Sequence, residues 1–196
     1  MDELILARHG ESLYSALGRL NGDPSLPCPL TPTGVDQARQ LGALLGGAQI
    51  ELWSVTEFER TVQTAAQAHG GGAAPIVIGE LNDPRYGRYE GATLEAYREW
   101  SFSAPSQEPS PGGGESRVEV VARYARGLEL LLARPERCVA AIAHSLPIAY
   151  VLGAAQGATP RPRTELVAYA TPYRLESAMV ERAVAVLAGW LTAPDW

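Results

Sequence analysis

Apolar residues occur along this chain in short unbroken blocks separated by longer stretches of helical period. Leu4-Ile5-Leu6-Ala7 is such a block, the pattern of a strand buried on both faces. Ile50–Val55, Pro75–Gly79, Cys138–Ala143 and Glu165–Ala170 read as further short strands. Between them the spacing lengthens. Thr31 is an N-cap residue and Pro32 suits the first helical position; Val35, Ala38, Leu41 and Leu45 then form one stripe that stops at Gly46-Gly47. A second helix is expected from Thr56 to about His69, ended by Gly70-Gly71-Gly72. Leu94–Trp100 predicts a short helix, Arg117–Leu132 a long one, and Leu146–Ala155 a helix with Pro147 in its first turn. Val180, Ala183, Val184, Leu187 and Leu191 place a helix in the last segment. Residues 10–31 hold Gly, Pro and Ser without a period and read as a long loop, a type that usually serves function. Residues 80–93 are polar and turn-rich, and residues 101–114 read as an excursion or lid.

Short strands alternating with helices predict an α/β protein: a three-layer sandwich with a mostly parallel central sheet and helices on both faces. No internal repeat or linker interrupts the pattern. The expected organisation is a single domain over residues 1–196, with a lid or insertion at about 81–116.

Composition narrows the function classes. A chain of 196 residues with 46% hydrophobic and 19% charged residues is ordinary for a globular domain that builds its own core. The net charge of −6 argues against a nucleic-acid partner. All 16 basic residues are arginine, which excludes a catalytic lysine and a lysine-bearing P-loop. Cys28 and Cys138 form no CxxC pair; Cys138 reads as a core residue and Cys28 as a loop residue. The opening Met1-Asp2-Glu3 lacks the features of a signal peptide, and no apolar run spans a membrane, so the expectation is a cytoplasmic protein with no membrane partner.

The chemistry concentrates where strands end. Arg8-His9-Gly10-Glu11-Ser12 follows the first strand, and His144-Ser145 follows the strand Cys138–Ala143. In parallel neighbours both histidines arrive at the same sheet edge, the edge where open α/β sheets bind ligands. The helix after His144 turns its free N–H groups to that edge, which suits an anion. His9 offers a neutral nitrogen near physiological pH as nucleophile or base, and Arg8 a planar fork of donors for phosphate or carboxylate. Gly10 permits a close turn around the ligand. Arg60, one turn into the second helix, reaches back over a strand end. Two guanidinium groups and two imidazoles in an acidic chain suit a phosphate dianion. His69 ends a helix beside glycines and reads as solvated. No HxH, HExxH or paired-cysteine pattern marks a metal site, and no metal or other cofactor is expected.

The ordered set Arg8-His9-Gly10-Glu11-Ser12, Arg60 before Gln63-Thr64-Ala65, Asp83 four residues before Gly87, Glu90-Gly91, Gly114-Glu115-Ser116 and His144 resembles the histidine phosphatase superfamily, also called the phosphoglycerate mutase-like family. The resemblance runs from residue 4 to about 155. It implies that His9 attacks phosphorus and becomes a phosphohistidine, while Arg8, Arg60 and His144 hold the phosphoryl oxygens. It implies Asp83 as the general acid; the family more often has Glu there, and Glu80 or Glu90 is the alternative donor. Pro84 restricts Asp83 to extended backbone. An acid of this kind predicts an acidic optimum for turnover of aryl phosphates. Ser15, Arg19, Asn21, Gly22, Ser145 and Glu115 are the further substrate-site candidates, Glu115 as a residue that orients Arg or His groups. The resemblance implies a metal-independent phosphomonoesterase acting on a small-molecule phosphate ester. The alternatives are a phosphoglycerate mutase, or a catalytically silent phosphate-binding module. Family mutases carry a basic insertion with a lysine, whereas residues 95–114 hold Arg98 alone. The aromatics Tyr14, Tyr86, Tyr89, Tyr97, Trp100 and Phe102 either line an entrance or pack beneath the lid. The identity of the ester and the oligomeric state, monomer or homodimer, stay open.

Overall fold

In a computed structural model that describes residues 1–70 and 72–196, five strands form one sheet. The elements are β1 (Glu3–Arg8), α1 (Leu13–Ala16), α2 (Pro32–Leu45), β2 (Leu52–Val55), α3 (Glu59–His69), β3 (Ile76–Val77), α4 (Leu94–Ser101), α5 (Arg117–Leu132), β4 (Cys138–Ala143), α6 (Ser145–Ala155), β5 (Pro172–Glu176) and α7 (Ser177–Thr192). The sheet order is β3-β2-β4-β1-β5. The first four strands run parallel, and β5 pairs antiparallel with β1 at one edge.

The unbroken apolar runs of β1 and β4 are explained by two cores. Successive strand side chains point to opposite faces. Leu4 and Leu6 of β1, with Val139, Ala141 and Ala143 of β4, enter a core built with α5, α6 and α7. Ile5 and Ala7, with Ala140 and Ile142, enter a second core with Leu41 and Leu45 of α2 and Ala65 of α3. Helices therefore cover both faces, as the three-layer reading requires.

The helix boundaries follow local chemistry. Thr31 accepts from the Gly34 N–H with Pro32 next in line, and Ser116 and Glu119 close a capping box on α5. Helix α3 begins at Glu59 rather than Thr56 and ends at Gly70, whose φ of 68° is the left-handed cap that glycine adopts without penalty. Gly71 of the expected stop lies outside the described residues. His69 is half-buried and packs on the Trp53 ring, with centroids 5.3 Å apart. Cys28 is a loop residue but fully buried, and the half-buried Cys138 thiol lies 3.5 Å from the Glu3 carboxylate. No described helix is long and apolar enough to cross a membrane.

Two readings are corrected. Residues 165–170 are not a strand: they contribute one isolated bridge, Tyr169 to Arg8, and the fifth strand lies at Pro172–Glu176. Within this apolar run Leu166 and Tyr169 face a cavity rather than a sheet neighbour. Residues 10–31 are not loop throughout, because Ser12 caps the short helix α1. The segment 81–116 contains α4 and is tied down by Ser110 donating to the Tyr86 carbonyl and Ser106 to the Trp196 carbonyl.

Ile142 is fully buried in the core between the sheet and α2–α3. Ile142→Ala is expected to lower the free energy of unfolding by ~2–5 kcal/mol, read by denaturant titration.

Candidate active site

The register of β1 on β4 sets the centre of the site. Arg8 pairs with Ala143, so the next residues, His9 and His144, stand side by side where both strands end. The His9 N–H donates to the Ala143 carbonyl at 3.0 Å, and the two imidazoles lie 5.3 Å apart, edge to face. Both are buried. Gly10 and Gly34 bring the turn after His9 against the start of α2. A Cβ on Gly10 would collide with the Gly34 carbonyl oxygen, and one on Gly34 with the carbonyl oxygen of Glu11. Glycine is required here for close approach of two backbones.

Hydrogen bonds fix the tautomers. His9 Nδ1 lies 2.6 Å from the Gly10 carbonyl, which only accepts, so Nδ1 carries the proton and Nε2 presents its lone pair. Arg60 Nε donates to that Nε2 at 3.2 Å. Arg60 Nη2 lies 3.2 Å from His144 Nδ1, and because arginine only donates, His144 Nδ1 is the acceptor. His144 Nε2–H is then the donor to Thr56 Oγ1 at 2.9 Å. Burial, reinforced by Arg60, holds both imidazoles well below the usual value of 6.5. Both are neutral at pH 7.

Arg60 is buried and multiply held. Its Nη1 donates to Asn21 Oδ1 at 2.6 Å, its Nη2 to the Asn21 carbonyl at 3.0 Å, and its guanidinium lies 4.0 Å over the Phe58 ring. Arg8 is clamped from the corrected segment. Its Nη1 donates to the Val167 carbonyl at 2.8 Å, and the Tyr169 ring lies 3.8 Å beneath its guanidinium. Ala170 N–H donates to the Arg8 carbonyl at 2.9 Å, and Ser145 Oγ accepts from the Val167 N–H at 2.9 Å. Ala170 has a φ of 47°, a left-handed conformation that costs a residue with a Cβ ~1–2 kcal/mol. That strain is offset by the clamp it completes.

Asp83 reaches the same point. Its Oδ2 lies 3.5 Å from Arg60 Nη2 and 3.9 Å from His144 Nδ1. Burial pushes its pKa up from the ordinary carboxylate value, against the pull of Arg60, Arg8 and Arg123. Arg123 donates to the carbonyls of Glu80 and Asn82, both at 2.8 Å, and is itself held by the buried Glu115 carboxylate at 2.9 Å.

Some of these groups open onto a cavity of about 280 Å³; His144 is fully buried and does not line it. Arg8, His9, Arg60 and Asp83 line it, as do Ser15, Arg19, Asn21 and Ser145 among the further candidates. Gly22 and Glu115 do not. The Gly22 N–H donates to Glu90, and Glu115 supports Arg123 and accepts from the Arg85 N–H. Glu90 is thus occupied with the Gly22 and Tyr86 N–H groups, both at 2.8 Å. Of the six aromatics considered, Tyr14, Tyr86 and Tyr97 line the cavity; Tyr89 and Trp100 pack against Tyr97, and Phe102 is exposed. Sequence reading missed Thr56, Arg117 and Tyr169. Thr56 reads as the start of a helix and Tyr169 as part of a strand, which hides their contacts, and Arg117 carries no local signal. Among the described residues no group of three or more His, Cys, Asp or Glu is placed to hold a metal ion.

The comparisons agree with this geometry. The chain is 36% identical over 114 residues to an acid phosphatase of Mycobacterium tuberculosis, spanning 54% of each protein. It is 31% identical over 140 residues to a 2,3-bisphosphoglycerate-dependent phosphoglycerate mutase of Rhizobium etli, spanning 63% of this chain and 64% of that one. The matches thus cover less than two thirds of these relatives' lengths. The fold superposes on a mycobacterial glucosyl-3-phosphoglycerate phosphatase, solved in complex with VO3, with a TM-score of 0.72 at 27% identity, over 89% of this chain and 92% of that one. A family model of the histidine phosphatase superfamily (branch 1) matches residues 4–185, and the chain belongs to that superfamily.

Proposed function

We propose that this chain is a phosphomonoesterase that hydrolyses a small-molecule phosphate ester through a phosphohistidine on His9. The observation that carries the reading is the state of His9: neutral, its Nδ1–H tied to the Gly10 carbonyl, its Nε2 lone pair turned toward Arg60 beside Arg8 and Asp83. A nucleophile needs that lone pair, and a phosphoryl group needs the guanidinium donors around it.

In the first step an ester phosphate displaces the Arg60 Nε–H from His9 Nε2 and takes the donors of Arg8 and Arg60 on its oxygens. Nε2 forms a bond to phosphorus as the ester P–O bond breaks. Asp83, protonated, passes its proton to the departing oxygen. An ester that arrives as its monoanion brings one proton, which His144 Nδ1 takes and donates back to a phosphoryl oxygen, and which leaves with inorganic phosphate. In the second step a water attacks phosphorus, the P–N bond breaks, and Asp83 takes the water's proton. His9 is restored and inorganic phosphate leaves. Guanidinium groups meet the charge on the phosphoryl oxygens, so no step calls on a metal ion. The acid phosphatase relative supports hydrolysis rather than transfer.

His9→Ala is expected to abolish hydrolysis of p-nitrophenyl phosphate, and acid-labile, base-stable labelling from a ³²P-ester should appear in the native chain and vanish in the variant. Turnover that persists in His9→Ala, or that chelator removes, would overturn the mechanism.

Asp83→Asn is expected to slow hydrolysis of alkyl esters by ~10²–10⁴ and of p-nitrophenyl phosphate far less, because p-nitrophenolate leaves without a proton. Burial raises the Asp83 pKa, so its protonated form extends to higher pH than for a free carboxyl, and activity on alkyl esters should fall as pH rises through that value. Asp83→Asn should flatten this limb of the pH profile; an unchanged profile would assign the proton to another group.

Stability should show the opposite sign. The folded chain holds His9 and His144 neutral, while the unfolded chain binds protons near 6.5. Stability is therefore full above that value and declines as pH falls below it. Thermal melts between pH 7.5 and 5 should show a shallower decline in His9→Gln/His144→Gln than in the native chain.

A further inference from the structure

The phosphate-binding groups account for only part of the charge on the cavity wall. Five arginines line the cavity: Arg8, Arg19, Arg60, Arg98 and Arg117. Two carboxylates face them, Asp83 and Glu95. With all seven ionised the wall carries a net charge of +3, and with Asp83 protonated +4. A phosphoryl dianion brings −2. The excess stands out in a chain whose net charge is −6.

The five arginines are not equally committed. Arg60 is in an ion pair with Asp83, and among the described residues none of the other four forms one. Arg8, Arg19 and Arg98 each donate to a backbone carbonyl, of Val167, Gly91 and Thr164 respectively. Arg117 differs. Its guanidinium makes no hydrogen bond to any described residue, although its Nε and Nη1 are buried. The buried Tyr97 ring, 5.4 Å from the guanidinium carbon, also lines the cavity, and Tyr150, Tyr86 and Tyr124 are the other tyrosines near Arg117. A guanidinium whose buried nitrogens meet no acceptor loses hydration that an aromatic face only partly replaces, so it favours an anionic partner. Arg117 is the first residue of α5 and opens into the cavity that His9 lines, yet the charges that act most on His9, His144 and Asp83 come from Arg8, Arg60 and Arg123.

We infer that Arg117 is the anchor of a second anion subsite, and that the substrate is a phosphomonoester carrying a further anionic group, a carboxylate or a second phosphate. The inference deepens the phosphatase reading and rests on it for the placement of the scissile phosphate at His9. Arg98 and Arg19 add field at the same wall. Tyr97 holds the Arg117 side chain by cation–π contact and excludes water from it. Selectivity among esters then comes from the anion remote from phosphorus, since the groups around His9 contact only the phosphoryl unit that all esters share.

The test is a binding titration on His9→Ala, which holds esters without turning them over. Two matched pairs are used: 3-phosphoglycerate against glycerol 3-phosphate, and fructose 1,6-bisphosphate against fructose 6-phosphate. At least one doubly anionic member should bind about tenfold or more tighter than its singly anionic counterpart. Which pair shows the preference tells carboxylate from phosphate. Adding Arg117→Met, which keeps the apolar stem, should bring that ratio close to one; Arg117→Lys, which keeps the charge without the planar fork, should retain part of it. Equal affinities within both pairs, or a preference that Arg117→Met and Arg117→Lys leave intact, overturn the subsite. If Arg117→Met melts early, the Arg117→Lys ratio decides. Turnover of p-nitrophenyl phosphate by the native chain reports separately on the phosphatase reading. An inactive chain with an Arg117-dependent preference fails that reading and keeps the subsite; an active chain with no preference does the reverse.

Discussion

The parallel pairing of β1 with β4 is the constraint on which the site depends. One register, Arg8 opposite Ala143, brings imidazoles 135 positions apart in sequence to within 5.3 Å of one another. A slip of one residue would turn every side chain of β1 to the opposite face and move His9 out of line with His144. The register is held by two cores at once. Leu4 and Leu6 are anchored against α5–α7, Ile5 and Ala7 against α2 and α3, so a shift would expose apolar surface on both sides of the sheet. The chemistry at the strand ends therefore draws its precision from apolar packing that never touches a ligand.

Around that register the protein solves an electrostatic problem. Buried guanidinium groups are costly unless they find acceptors or aromatic faces. Arg60 finds both, in Asn21, the histidine nitrogens and Phe58. Arg8 finds the Val167 carbonyl and the Tyr169 ring. Burial and these cations suppress protonation of His9 and His144, which keeps a lone pair on each imidazole. Asp83 is the exception that burial carries the other way, toward the acid form. Two kinds of titratable group are thus displaced in opposite directions within one small space, the division that the proposed nucleophile and proton donor require. Glu115 and Arg123 stand behind this arrangement, fixing the carbonyls of residues 80–82 and hence the approach of Asp83.

The segment 162–170 shows where a one-dimensional reading misleads. Glu165–Ala170 carries the short apolar run of a strand, yet Leu166 is 58% exposed at the cavity and Tyr169 lies under Arg8. The residues have strand propensity, but their partner is a guanidinium and a cavity wall. Ala170 accepts a strained backbone to close that clamp. Propensity describes what a residue packs well against, and only the assembled molecule supplies the neighbour. The same holds for Thr56, which lies in the helical window before α3 but serves as the acceptor that sets the tautomer of His144.

The sequence by itself determined the α/β architecture, the helix starts at Thr31 and Ser116, and the family, because period, caps and ordered motifs are local signals. It also marked His9, Arg8, Arg60, Asp83 and His144 as candidates, each by its place at a strand end or in a short motif. Only the tertiary structure decided that Ser15, Arg19, Asn21 and Ser145 reach the cavity while Gly22 and Glu115 do not. It alone brought Arg117 to that wall without an acceptor among the described residues. The reason is that a cavity is lined by residues from distant parts of the chain, and whether a polar group meets a partner there is settled by packing across the fold, which no window of sequence contains.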